Sequence, residues 1–152
     1  MKVSFVIPGV PQGKGRPRFS RRGNYVSTYT PEKTVNYEEL VRLEYCRQCK
    51  NFNFGKDVPL YSCVIAYYNI PKSTSKANTK LMKDKIIRPT KKPDYDNIGK
   101  IINDALNGIA YHDDSQIVDG LVRKFYSDNP RVKVIIQTVQ QCRTEDSYEQ
   151  RN

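Results

Sequence analysis

The chain has 152 residues, enough for one compact domain, and a domain of this size buries about two thirds of its unfolded surface without a disulfide or metal staple. Lys and Arg number 26 against 16 Asp and Glu, a formal net charge of +10, and so basic a small protein points to a polyanionic partner, nucleic acid first. No apolar run approaches the ~20 residues of a membrane span, no long basic amphipathic helix offers a lipid-facing side, and the segment 1–8 is too short for a signal peptide, so a cytoplasmic protein without a membrane partner is expected.

In chain order, Lys2 to Ile7 reads as a strand with Val3, Phe5 and Ile7 on one side. Residues 8–23 hold Pro8, Gly9, Pro11, Gly13, Gly15, Pro17 and Gly23 and read as a loop, followed by a short extended segment over 24–29. Thr30-Pro31-Glu32 is a helix start, with a capping hydroxyl, a proline at the first helical position and an acid in the first turn. Tyr37, Leu40, Val41 and Tyr45 then recur at helical spacing to about Cys49, and a turn region spans 51–59. Leu60 to Ile70 is almost wholly apolar or aromatic, the pattern of a strand buried on both faces. Residues 73–85 have weak helical character, and 86–93 are extended between Pro89 and Pro93. The clearest helix runs over 97–107, with Ile98, Ile102, Ala105, Leu106 and Ile109 apolar, Lys100, Asn103, Asp104 and Asn107 opposite them, and Gly108 as its stop. Gln116 to Tyr126 and Arg131 to Val139 read as two strands joined into an antiparallel hairpin by Asp128-Asn129-Pro130. The result is a single α+β domain over 1–140, a mixed β-sheet flanked by helices, with a polar, disordered tail over 141–152.

Of the four cysteines, Cys46 and Cys49 stand two apart, but Cys63 and Cys142 form no second pair and have no nearby histidine. A structural zinc site is therefore not expected: Cys46 and Cys49 read as reduced thiols near a helix end, and Cys63 as core filling.

The acids are more informative. In Lys92-Pro93-Asp94-Tyr95-Asp96-Asn97, a chain extended through Asp96 would aim Asp94 and Asp96 the same way, and the following helix could return Asp113 or Asp114 beside them. Carboxylates so gathered repel unless a cation sits among them, and an oxygen-only donor set suits Mg²⁺, or Mn²⁺ in its place, better than zinc. Lys100, one turn into the helix, is positioned to neutralise charge on a reacting phosphate. Singly, Asp96 or Asn97 could be a helix cap, Asp113-Asp114 a turn pair and His112 a turn residue. Together, inside a basic protein, the acids favour metal and phosphodiester chemistry, with no small-molecule cofactor.

Lys92-Pro93-Asp94-x-Asp96-Asn97-x-x-Lys100, Asp104-Ala105-Leu106-Asn107-Gly108 and Tyr111-x-Asp113-Asp114-x-Gln116-Ile117 resemble the signature of the RusA family of Holliday junction resolvases. Lys14-Gly15-Arg16-Pro17-Arg18-Phe19 and Tyr29-Thr30-Pro31 resemble that family's N-terminal segment. The likeness covers roughly residues 5 to 30 and 90 to 126; residues 50–90, the Cys46/Cys49 pair and the tail carry none of it. It implies a RusA-like fold, a homodimer, and cutting of four-way junction DNA in recombination and repair, with a phage or prophage origin plausible on family grounds. It also implies Mg²⁺ held by three aspartates, falling on Asp94, Asp96 and Asp114, with Asp113 able to share or take the third place, and catalysis assisted by Lys100. Other readings of the same residues are a phage endonuclease of the same chemistry acting on flaps or forks, and a non-catalytic DNA-binding protein.

Two basic segments flank the acids. Lys14, Arg16, Arg18, Arg21 and Arg22 lie in the glycine-rich loop, where Phe19 and Tyr25 could pack on sugars or wedge at an opened base step. The second runs from Lys72 through Lys76, Lys80, Lys83, Lys85 and Arg88 to Lys91 and Lys92, and reads as a phosphate-tracking arm ordered on binding, or as a solvated charged surface. Lys124 is a further DNA-binding candidate.

Overall fold

The computed structural model describes residues 1–139, so the tail expected over 141–152, and Cys142 with it, lies outside the described residues. The elements are β1 (Lys2–Pro8), β2 (Arg18–Arg22), β3 (Tyr25–Tyr29), α1 (Glu32–Cys49), β4 (Leu60–Asn69), α2 (Lys76–Lys83), α3 (Tyr95–Ala105), β5 (Ile117–Ser127) and β6 (Arg131–Thr138). Four strands form one mixed sheet in the order β1-β6-β4-β5, with β4 parallel to β5 and the other pairs antiparallel. The fold is a single α+β domain.

Hydrophobic alternation decides which face is covered. Phe5 and Ile7 of β1, Val132, Val134 and Ile136 of β6, and Leu60, Val64, Ala66 and Tyr68 of β4 all point to one side and are buried. On that side α1 lies over β1 and α3 over β4 and β5, and the two helices touch. Val41 and Tyr45 of α1 and Ile98, Ile101, Ile102 and Ala105 of α3 close the same core. Tyr45 meets Phe5 edge-on at 5.2 Å and donates its hydroxyl to the Phe52 carbonyl at 2.6 Å. Burying this apolar set is what holds the layers together.

The structure departs from the sequence reading in several places. β5 and β6 do not pair as a hairpin, because β4 lies between them. The Ser127–Arg131 turn therefore spans two strand spacings, about 9.6 Å. It is braced by Arg131, whose guanidinium donates to Ser127 Oγ and the Asn129 carbonyl. The apolar β4 takes a central place because it can bury most of both faces; even so, its second face is only partly covered by the described residues, with Ile65 half-buried. Residues 18–22, expected in a loop, form β2 and pair with β3. The N-cap of α1 is Pro31, with no side-chain cap, so the Thr30 hydroxyl does not play the expected part. The weakly helical stretch is α2, anchored by buried Met82 and capped by Ser75 Oγ accepting from the Asn78 amide. No helix among the described residues is long and apolar enough to cross a membrane.

Candidate active site

The site is organised by α3. Its apolar stripe faces the sheet, with Gly99 allowing contact so close that an added Cβ would lie 3.1 Å from Val122. The opposite stripe repeats every four residues: Asp96, Lys100 and Asp104 follow one another about 6 Å apart along the exposed side. The helix begins at Tyr95, so the chain is not extended through Asp96 as the sequence suggested. Asp94 is the N-cap residue in extended geometry, its carbonyl accepting from the Ile98 amide, while Asp96 already sits in the first turn. Both carboxylates thus lie at the positive end of the helix dipole.

After α3, buried Tyr111 turns the chain back and donates its hydroxyl to the Asn103 carbonyl at 2.8 Å. The two acids that follow diverge. Asp113 caps the short 3-10 turn over Asp114–Gln116: its carboxylate accepts from the Ser115 amide at 3.1 Å, and the Ser115 side chain first, with that amide second, holds its pKa below the usual carboxylate value. Gln116 completes this capping box and ties it to the carbonyls of Gly55 and Val58. Asp114 faces α3 instead. Burial and a carboxyl–carboxyl contact with Asp104 raise its pKa, and nearby Lys100 opposes the rise. Asp104 also pairs with Lys100 at 3.5 Å and with Lys14 at 3.2 Å.

Asp104 was given no site role from the sequence, although it stands four residues after Lys100 on the same polar stripe and opens the Asp104-Ala105-Leu106-Asn107-Gly108 motif. The structure brings Asp114, Asp104 and Lys100 together. Asp94 lies apart from them, near Lys124 and Tyr68, where burial first and Asp94 second push the Tyr68 hydroxyl up to about 12. Among the described residues no three His, Cys, Asp or Glu side chains gather closely enough to form a ready metal cage. Cys46, Cys49 and Cys63 are free thiols.

The basic residues divide likewise. Lys14 is an ion-pair partner of Glu38 as well as Asp104. Burial works against its charge, but the two carboxylates outweigh it and raise its pKa. Its loop is fixed on α3, with the Lys14 amide donating to the Asn97 carbonyl at 2.9 Å. A Cβ on Gly13 would come within 2.8 Å of Pro93, so this close approach requires glycine. Beyond it β2 and β3 form an exposed two-stranded ribbon: Arg18, Arg22, Tyr25 and Tyr29 share one face, Phe19 and Arg21 the other. Arg16, just before it, is exposed too. Lys91 and Lys92 lie exposed beside Asp94 in the chain. Lys76 and Lys80 are exposed on α2, and the segment after α2 lies over Phe125, on the sheet face opposite α3. That route carries them away from the carboxylates. Lys124 is turned inward: its ammonium donates to the Lys91 and Pro93 carbonyls, and burial lowers its pKa while Asp94 opposes the fall.

Residues 8–137 match the family described as "Endodeoxyribonuclease RusA". The chain is also 40% identical over 141 residues, 90% of its own length and 96% of the relative's, to the uncharacterized protein YqaN of Bacillus subtilis strain 168. Family nucleases are generally dependent on a divalent metal and act on branched DNA. The exposed ribbon of arginines and the acids along α3 are thus parts of an endodeoxyribonuclease, a hydrolase of DNA phosphodiester bonds: the chain belongs to the RusA family.

Proposed function

We propose that the protein is a Mg²⁺-dependent, homodimeric endonuclease that resolves four-way DNA junctions, with Mn²⁺ able to replace Mg²⁺. The observation that carries this reading is Asp114, half-buried against Asp104 and beside Lys100, on the same helix face that continues to Asp96. Two carboxyl groups held in contact, with the pKa of Asp114 raised by burial and by that contact, are a place where a hard cation relieves repulsion. The donor set is all oxygen, and its spread fits an ion that keeps part of its water shell and takes further ligands from phosphate, as Mg²⁺ does; it does not fit an all-protein cage. Asp94, Asp96 and Asp114 would hold the ion, with Asp104 joining them, while Asp113 is committed to its cap. An ion bound there would supply Lewis-acid polarisation of the phosphoryl group and activation of a water.

The remaining work falls to the chain. Lys100, exposed at the centre of the stripe, sets a positive charge against the phosphate as negative charge develops on it. Tyr111 fixes the angle at which Asp114 meets α3. Arg16, Arg18, Arg21 and Arg22 grip phosphates, and Phe19 and Tyr25, 74% and 84% exposed, supply rings that stack on sugars or bases opened at a branch. A junction has two opposed strands to cut and two-fold symmetry, which two copies with one site each would match. We place their contact on the sheet face opposite α1 and α3, around Ile65, Leu121 and Ile135. A panel of synthetic four-way, flap, fork and linear DNAs, with and without Mg²⁺, tests this reading. Paired symmetric cuts restricted to the junction are expected; equal cutting of linear duplex would reject junction selectivity, and sedimentation as a monomer on and off DNA would reject the dimer.

A further inference from the structure

Lys124, the single lysine of β5, points into the protein rather than toward solvent, on the same sheet face as Val122, against which α3 packs. Its ammonium lies over the Tyr68 ring, 5.2 Å from the centroid, and donates to the carbonyls of Lys91 at 2.5 Å and Pro93 at 3.0 Å. Tyr68, on neighbouring β4, donates its hydroxyl to the same Pro93 carbonyl, also at 3.0 Å. Two sheet strands thus converge on the peptide unit immediately before Asp94. From the other side the segment is held by Gly13, which abuts Pro93 and Asn97, and by the Lys14 amide on the Asn97 carbonyl. A lysine whose donors are spent on backbone carbonyls has little left for phosphate.

We propose that Lys124, with Tyr68, is a positioning residue that straps the 91–94 segment to the sheet and so fixes the carboxylate of Asp94 at the mouth of α3. The inference rests on the assignment of Asp94 to the metal site. It separates Lys124 from the phosphate-binding lysines, with which its sequence context alone would group it. It also explains why the acid that opens the site can be held without a side-chain cap of its own: the backbone before it is tied twice, to two strands that the core already holds parallel.

The test compares Lys124→Met, Lys124→Arg and Tyr68→Phe with the wild type. Tyr68→Phe removes one hydrogen bond while keeping the ring, so it remains informative should Lys124→Met fold poorly. Three quantities are read: amide hydrogen exchange of the peptide covering 91–98 in metal-free protein, junction affinity against salt in EDTA, and the Mg²⁺ concentration giving half-maximal single-turnover cleavage. Strapping predicts faster exchange of that peptide in Lys124→Met and, to a lesser degree, in Tyr68→Phe. It predicts junction affinity within about twofold of wild type with an unchanged salt slope, and a cleavage rate lower by roughly tenfold to a hundredfold at a raised Mg²⁺ requirement. Lys124→Arg, which keeps the charge and can still donate to the carbonyls, should recover part of the protection. Loss of junction affinity with a salt slope shallower by about 0.9 would make Lys124 a phosphate ligand and overturn the proposal; so would unchanged exchange in both Lys124→Met and Tyr68→Phe. If the wild type fails to cleave with any divalent metal, the proposed function fails on its own account, while the exchange measurement still judges the strap.

Discussion

Replacing Lys100 by alanine should separate catalysis from stability, because the structure makes the two effects very unequal. Lys100 is exposed over 60% of its side chain and its partner in the fold is Asp104, at 3.5 Å one turn away. An exposed pair of this kind contributes about 0.3–0.5 kcal/mol, and lysine preceding the acid is the less favourable order along a helix. Alanine also has the higher helix propensity, which returns part of the loss. The net change should stay below about 0.5 kcal/mol, a melting shift of no more than about 2 °C for a chain of this size. A positive charge that acts on the phosphate only as the transition state forms is worth far more, about 3–4 kcal/mol or a hundredfold to a thousandfold in rate. Single-turnover cleavage of a synthetic junction by saturating enzyme, alongside calorimetric melting, measures both. The pH dependence adds a check of sign. Lys100 opposes the raised pKa of Asp114, so its removal lifts that pKa further; the ionised fraction at a given pH falls, and the acidic limb of the rate profile should move to higher pH. A single-turnover rate within about twofold of wild type, or a rate loss matched by unfolding, would refute the role given to Lys100.

Asp114→Asn should stabilise the metal-free protein at neutral pH by up to about 1 kcal/mol after solvent screening. The native pKa of Asp114 is raised, so its cost to folding is present where the acid is ionised and disappears as pH falls through that pKa; the gain, followed by denaturant titration in EDTA, should vanish at low pH. Tyr111→Phe should cost about 0.5–1.5 kcal/mol, at the lower end because the Asn103 carbonyl also accepts from the Leu106 amide, and should slow cleavage by loosening the return to Asp114; an unchanged rate would detach Tyr111 from the site. Replacing Arg18 and Arg22 by alanine should reduce the salt slope of junction binding by about 0.9 for each phosphate no longer neutralised, whereas the same change at Lys76 and Lys80 should alter it less, since α2 lies away from the carboxylates.

What could be read from the sequence was whatever depends on local pattern. The alternation in β1, the apolar run of β4 and the apolar stripe of α3 each appear where composition and period put them, because each buries one face against a neighbour close by. Pairing was less legible. The Asp128-Asn129-Pro130 turn looks the same whether it joins adjacent strands or crosses one, and only insertion of β4 between β5 and β6 decides. β3 lies within the extended segment read over 24–29, but its partner β2 was hidden because arginine and glycine outweigh its strand residues and no core packing shapes its composition. At the site the motif carried Asp94, Asp96, Lys100 and Asp114, but not their arrangement. Helix formation from Tyr95 leaves Asp94 as an extended N-cap residue and puts Asp96 in the first turn, and Asp113 and Asp114 part because one side chain is spent on a cap. Lys14 and Lys124 show the same limit: a lysine near a basic motif reads as a phosphate ligand until the fold shows Glu38, Asp104 or a pair of carbonyls occupying it.

The central claim is that carboxylates along α3 and its return turn serve a divalent metal in DNA hydrolysis. Asp96→Asn keeps the shape of its side chain and tests this most directly, by junction binding in EDTA followed by single-turnover cleavage on addition of Mg²⁺. Binding equal to or tighter than wild type, with cleavage lower by at least about a thousandfold, is predicted. Cleavage by Asp96→Asn at the wild-type rate, or wild-type cleavage that persists in EDTA, would contradict it.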